Sequence, residues 1–118
     1  MVVPVVADMN QEPPMLAEDA QRYKVWKYLD VGLITESEPR AETQDDVQHI
    51  IDRLQQLAPD DVIAKMTIAG FWEAPVEYGG IDQSCETCVY FQVHRRHCEL
   101  PQIDLPVEPH WSCRLWRI

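Results

Sequence analysis

The chain contains four cysteines, and all four lie within residues 85–118. They are Cys85, Cys88, Cys98 and Cys113, and the first two form a Cys-x-x-Cys pair. Two thiolates on one tight turn chelate a metal with little added loss of chain entropy, and two further thiolates complete a four-sulfur ligand set. The spacing therefore predicts a metal centre built from these four cysteines.

Two inorganic groups suit a set of four thiolates. One is a [4Fe-4S] cluster, which we favour slightly, and the other is a structural Zn²⁺ ion. A pair of disulfides is a third reading of an even cysteine count. The N-terminal residues Met1–Asp8 lack the basic and apolar regions of a signal peptide, so we expect a cytoplasmic protein or a virion component, in which thiols stay reduced. No run approaches the ~18 apolar residues of a membrane helix.

The negative charge is confined to one part of the sequence. Residues 1–84 hold 16 acidic and 6 basic side chains, whereas residues 85–118 hold four of each. A net charge of −10 repels phosphate backbones, which argues against nucleic acid and favours a protein partner. Arg95 and Arg96 are the local exception, and we expect them to offset the thiolate charge and not to bind phosphate. An acidic inhibitor that imitates nucleic acid is a further alternative.

Hydrophobic spacing predicts helices in the first two thirds of the chain. Residues 16–29 are predicted to form a helix, because a helical period runs through Leu16, Ala20, Tyr23, Trp26 or Lys27, and then Leu29 to Asp30. Residues 44–57 form a clearer amphipathic pattern that follows an N-cap at Thr43 with Asp46 three residues later. A third helix is expected to begin after Pro59 and to end at Gly70. Its inward face would consist of Val62, Ile63, Met66 and Ala69. The β-branched residues of this segment leave a strand as an alternative.

The cysteine-containing segment has a different pattern. Residues 89–93 are rich in β-formers, which indicates a short strand directly after the Cys-x-x-Cys turn. Three prolines, Pro101, Pro106 and Pro109, argue against regular structure between Cys98 and Trp111. The aromatic residues of this segment are expected to surround the metal group and exclude water; they are Tyr90, Phe91, Trp111 and Trp116.

The sequence gives little support for catalysis. It has no phosphate-binding glycine loop, no His-Glu-x-x-His zinc motif and no arrangement typical of a hydrolytic triad. A redox dithiol would place the Cys-x-x-Cys pair at a helix N-terminus, whereas aromatic β-formers follow it here. His94, His97 and His110 are possible zinc ligands, but with four cysteines present we expect them to lie at the surface or to hydrogen-bond the ligands.

The cysteine motifs resemble those of a known family. Cys85-Glu-Thr-Cys88-Val-Tyr-Phe-Gln, Cys98-Glu-Leu-Pro and Trp111-Ser-Cys113-Arg-Leu-Trp116 resemble the cluster-binding region of high-potential iron-sulfur proteins. That resemblance covers about the last 34 residues and implies that the four cysteines ligate a [4Fe-4S] cubane, with electron transfer as a possible activity. The same outline is similar to short four-cysteine proteins of phages and mobile elements, for which it implies no activity.

These observations predict an α+β protein in three parts: an extended arm over residues 1–14, an acidic helical region over residues 15–80 and a four-cysteine module over residues 81–118. The function that fits best is a non-catalytic, metal-binding interaction or assembly protein in which the metal group holds the C-terminal segment together. Electron transfer through the cluster is the first alternative. We expect a structural cluster and not an electron carrier.

Overall fold

The computed structural model describes the backbone of residues 14–118 and the side chains of residues 17–118. In this part of the chain, three α-helices precede two small antiparallel sheets, which confirms the α+β class. The elements are α1 (Pro14–Asp30), α2 (Gln44–Gln55), α3 (Val62–Ala69), β1 (Val76–Tyr78), β2 (Ile81–Gln83), a 3₁₀ turn (Cys85–Thr87), β3 (Phe91–Gln92), β4 (His97–Cys98) and β5 (Leu105–Pro106). The arm predicted over residues 1–14 lies outside the described residues, except for Pro14. None of the described helices is long and apolar enough to cross a membrane.

Helix α1 lies where the spacing predicts it, and part of the predicted pattern is buried, since Leu29 is buried and Trp26 packs against the core. Ala20 is exposed and Tyr23 is 60% exposed, whereas Arg22 and Val25 are buried instead; the side chain of Leu16 lies outside the described residues. The apolar pattern did not include Arg22, because a charged side chain is rarely buried without partners. Arg22 has such partners, namely backbone carbonyls of the C-terminal segment, and these make its burial possible.

Helix α2 confirms the clearest prediction from the sequence. The Thr43 side chain accepts a hydrogen bond from the backbone N–H of Asp46, and the Asp46 carboxylate accepts one from the backbone of Thr43. This reciprocal capping satisfies N–H groups that the first turn of a helix leaves unpaired. Ile50 and Leu54 form the buried part of its apolar face.

Helix α3 is a helix and not the alternative strand. Asp61 caps its start, and Gly70 ends it with φ of +73°. A Cβ at Gly70 would lie 2.4 Å from the backbone oxygen of Glu36, so glycine is required there for space as well as for conformation. Lys65 is buried while Ile63 is 45% exposed, which corrects the predicted inward position of Ile63.

The second sheet runs in the order β3-β4-β5 and is antiparallel throughout. Strand β3 is shorter than the predicted strand over residues 89–93. Strand β5 corrects the expectation that prolines exclude regular structure between Cys98 and Trp111, because Pro106 pairs with His97 in β4. A proline fits there because β5 is an edge strand, on which a missing N–H donor is tolerated.

One hydrophobic core connects the helices with the cysteine-containing segment. The side chains at its centre come from both parts and include Val25, Leu29, Ile50, Leu54, Met66, Leu100, Ile103, Leu105 and Trp111. Three of the cysteines, Cys85, Cys98 and Cys113, pack against this cluster. The four-cysteine segment thus shares its core with α1, α2 and α3.

Candidate metal centre

The first two cysteines lie at the ends of one tight turn. Residues Cys85–Thr87 form the 3₁₀ turn, and the N–H of Cys88 donates to the carbonyl of Cys85 at 2.9 Å. The turn is fixed from outside, because the N–H of Cys85 donates to the carbonyl of Trp111 at 2.6 Å. The indole Nε1 of Trp116 donates to the Thr87 hydroxyl at 3.0 Å. The C-terminal segment therefore holds the turn in place.

The other two cysteines come from separate elements. Cys98 lies in β4, opposite Phe91 on one side and Leu105 on the other. Cys113 follows an isolated bridge in which Ser112 and Trp72 exchange two backbone hydrogen bonds of 2.8 and 2.9 Å. Three stretches of chain, separated by loops, thus supply the four thiols.

All four thiols line a single cavity. This cavity has a volume of about 30 Å³ and is partly open to solvent. Its lining is almost entirely apolar. The remaining lining residues are Phe71, Tyr90, Phe91, Leu100, Ile103, Val107, Trp111, Ser112, Leu115 and Trp116. The structure therefore brings together the four cysteines and the four aromatic residues that the sequence singled out.

Several lining residues were not foreseen from the sequence. Phe71, Ile103 and Val107 reach the cavity through tertiary packing, for which the sequence gives no local signal. Leu100 and Leu115 do have one, because each stands two residues after a cysteine in a Cys-x-Leu sequence. His94 and His110 lie at the surface as expected, but His97 departs from that expectation, because it is buried and its Nε2 hydrogen-bonds Asp104 at 2.7 Å and not a cysteine.

Burial raises the pKa of three of the thiols, those of Cys85, Cys98 and Cys113. Burial raises the pKa of Cys98 to about 12 and that of Cys113 to about 11. Burial, followed by the charges of the other three cysteines, raises the pKa of Cys85 well above its usual value. Backbone N–H groups act in the opposite direction, since Leu100 donates to the sulfur of Cys98 and Leu115 to that of Cys113. A cation that binds here must displace protons, so its own charge has to compensate the burial of thiolates.

Two buried arginines lie near this site. Arg40 donates to the backbone oxygen of Cys113 at 2.9 Å, and the positive charges of Arg40 and Arg114 both lower the pKa of the Cys113 thiol. The arginines predicted for this role are engaged elsewhere, because Arg95 pairs with Glu18 and Arg96 with Glu108. The cations that act on a thiol of this site are therefore Arg40 and Arg114, and not the predicted Arg95 and Arg96.

The four cysteines line one cavity but are not arranged as a site for a single ion. Within the described part of the chain, no three His, Cys, Asp or Glu side chains are arranged to hold a single metal ion. All four cysteines are free thiols in this structure, and all are half-buried. One lining residue, Trp111, has an unpaired polar atom, because its buried indole Nε1 has no hydrogen-bond partner among the described residues.

Comparison of this chain with models of protein families, with curated proteins and with solved structures finds no significant match.

Proposed function

We propose that this protein binds one [4Fe-4S] cluster through Cys85, Cys88, Cys98 and Cys113, and that the cluster is structural. The observation that carries this proposal is the common cavity, which is lined by four free thiols from three separate stretches of chain. A group bound to all four would cross-link these stretches. Such a group stabilises the folded state because the unfolded chain offers no preformed site.

We choose a cluster over zinc on the character of the cavity. A structural zinc ion needs four sulfurs at roughly 2.3 Å from one point. All four thiols line one cavity, and its lining is otherwise almost entirely apolar. A cubane suits this arrangement, because four iron atoms and four sulfides lie between its cysteine ligands. The aromatic and aliphatic lining would keep water away from the cluster and slow its loss.

A structural role suits the chain around the site. The segment between Cys98 and Cys113 contains three prolines and a single two-residue strand, so backbone hydrogen bonds alone hold it weakly. Its side chains nevertheless supply part of the central core, including Ile103 and Leu105. A cluster bound at both ends of this segment would fix its position and thereby complete the core. Catalysis is not part of this proposal.

The wider role that we propose is an interaction or assembly protein of the cytoplasm, where thiols stay reduced. The acidic surface favours a protein partner over nucleic acid. Large apolar side chains at the surface offer contacts for such a partner, since Trp72 is 51% exposed and Ile34 is 87% exposed. Aromatic residues are enriched at the centres of protein interfaces.

Anaerobic purification of the full chain tests the metal assignment. We expect brown protein that contains about four iron and four sulfide per chain, which corresponds to one cubane. Cys113→Ser should abolish the colour, and the control variant His94→Ala should retain it because His94 is exposed and far from the lining. Colourless wild-type protein with one zinc per chain would refute the cluster.

Protein-film voltammetry of the same preparation tests the structural role. A cluster inside an apolar lining resists changes of its charge, so we expect no reversible one-electron wave at accessible potentials. A reversible wave, together with electron exchange with a physiological donor, would favour the alternative of electron transfer.

A further inference from the structure

Three buried side-chain atoms of the described residues lack a hydrogen-bond partner: Arg40 Nε, His97 Nδ1 and Trp111 Nε1. Only Trp111 lines the four-cysteine cavity. Its side chain is 1% exposed, so bulk water does not reach it. An indole N–H can only donate, and leaving it unpaired in a dry interior is costly. Such a group in a native fold therefore indicates an acceptor that the polypeptide itself does not supply.

Trp116 shows what the same ring does when the protein supplies the acceptor. It also lines the cavity and is 9% exposed, but its Nε1 donates to the Thr87 hydroxyl at 3.0 Å. Two tryptophans thus contribute to one lining, and only one has its N–H satisfied by protein. Trp111 and Trp116 can therefore be compared directly, because both are indole rings that line the same cavity.

Water is a poor candidate for the missing acceptor. A buried water molecule needs two to four polar partners, on the order of three. The cavity lining offers little besides the indole, because it is apolar apart from thiols, which are weak partners, and the hydroxyl of Ser112, which donates to the carbonyl of Ala74 at 2.7 Å. An anionic sulfur would instead give the N–H a charge-assisted bond.

We propose that the indole N–H of Trp111 donates a hydrogen bond to a sulfur of the bound iron-sulfur cluster, either a bridging sulfide or a coordinating thiolate. This inference rests on the proposed function. Trp111 then joins the backbone N–H groups of Leu100 and Leu115, which donate to the sulfurs of Cys98 and Cys113. These donors lie on different parts of the lining, and together they stabilise the negative charge of a cluster with four thiolates. Trp111 is a positioning residue for the cluster and not a ligand.

The direct test is the magnetic coupling between the cluster and the indole nitrogen. The full chain is prepared anaerobically with ¹⁵N-indole-labelled tryptophan, and the frozen cluster is made paramagnetic by cryoreduction. We expect a ¹⁵N hyperfine coupling in the wild type and in Trp116→Phe, and its loss in Trp111→Phe. Phenylalanine keeps an apolar ring in the lining, so the two variants differ in which N–H they remove.

The kinetics of cluster loss give a second measurement. Removal of one charge-assisted hydrogen bond should make Trp111→Phe lose iron to a chelator about tenfold faster than the wild type. A wild-type cluster without ¹⁵N coupling would overturn the inference and leave the proposed function intact. Wild-type protein without iron and sulfide would overturn both.

Discussion

Arg22 connects α1 to the cysteine-containing segment, and its replacement by methionine tests whether the two parts form one cooperative unit. The guanidinium is 5% exposed and donates to three backbone carbonyls, those of Val107 at 3.1 Å, Arg95 at 2.8 Å and Arg96 at 2.9 Å. It also pairs with Asp19 at 2.5 Å. Methionine fills much of the same volume without donating, so Arg22→Met removes these bonds with little loss of packing.

The expected cost follows from the acceptors that Arg22→Met leaves behind. The carbonyl of Arg96 keeps one partner, because it also accepts the N–H of Val107 at 2.9 Å. The carbonyls of Arg95 and Val107 lose the partner that Arg22 supplies. At about 1–3 kcal/mol for each of these two acceptors left unpaired, the loss is about 2–6 kcal/mol. This is a large fraction of the ~5–15 kcal/mol by which a typical domain is stable.

Urea unfolding of the anaerobically purified protein, followed by circular dichroism, measures this cost. The matched control is Arg96→Gln, because Arg96 shares Asp19 and Glu108 as partners but has a half-exposed side chain. We expect the control to lose less than about 1 kcal/mol. Equal effects of the two variants would refute the argument that burial makes Arg22 important. Two separate transitions in the wild type would refute the single cooperative unit.

Two further predictions concern the segment around Glu36. Gly70→Ala should destabilise the protein by more than about 2 kcal/mol, because it adds a backbone clash with Glu36 to the strain of positive φ. The control Gly32→Ala introduces only the strain of positive φ, since no atom lies within 4 Å of the added Cβ. An equal loss of stability in both variants would contradict the proposed clash at Gly70. The hydrogen bonds from Arg53 lower the pKa of Glu36, so this contribution is present above pH 4.5 and lost as the pH falls through the lowered pKa. Urea midpoints at neutral and acidic pH should therefore differ less in Glu36→Gln, and an unchanged difference would contradict this assignment.

Local signals in the sequence predicted those parts of the fold that depend on neighbouring residues. The capping box of α2 and the glycine that ends α3 involve residues a few positions apart, so they are visible without tertiary information. The Cys-x-x-Cys turn is local in the same sense. The inward face of α1 is not, because the acceptors of Arg22 lie more than 70 residues further along the chain.

The candidate site likewise has features that the local sequence predicts and features that depend on tertiary contacts. The four cysteines and their aromatic neighbours could be selected by composition and spacing, and the structure places them around one cavity. The contributions of Phe71, Ile103 and Val107 depend on how the loops return to the helices. The unpaired N–H of Trp111 could not be predicted either. Trp111 and Trp116 both lie close to Cys113 in the sequence, and only the structure shows that the Thr87 hydroxyl accepts the N–H of Trp116.

The buried cations offer a way for a strongly acidic chain to enclose the proposed anionic cluster. Of the ten basic side chains, four are buried, and each donates to backbone carbonyls: Arg22, Arg40, Lys65 and Arg114. Five of the accepting carbonyls belong to the cysteine-containing segment, at Arg95, Arg96, Ile103, Val107 and Cys113. Arg40 and Arg114 lower the pKa of the Cys113 thiol, so they would offset part of the thiolate charge that a bound cluster introduces. With four cations inside, the surface carries a larger share of the acidic groups, which supports the proposal of a protein partner with a basic face.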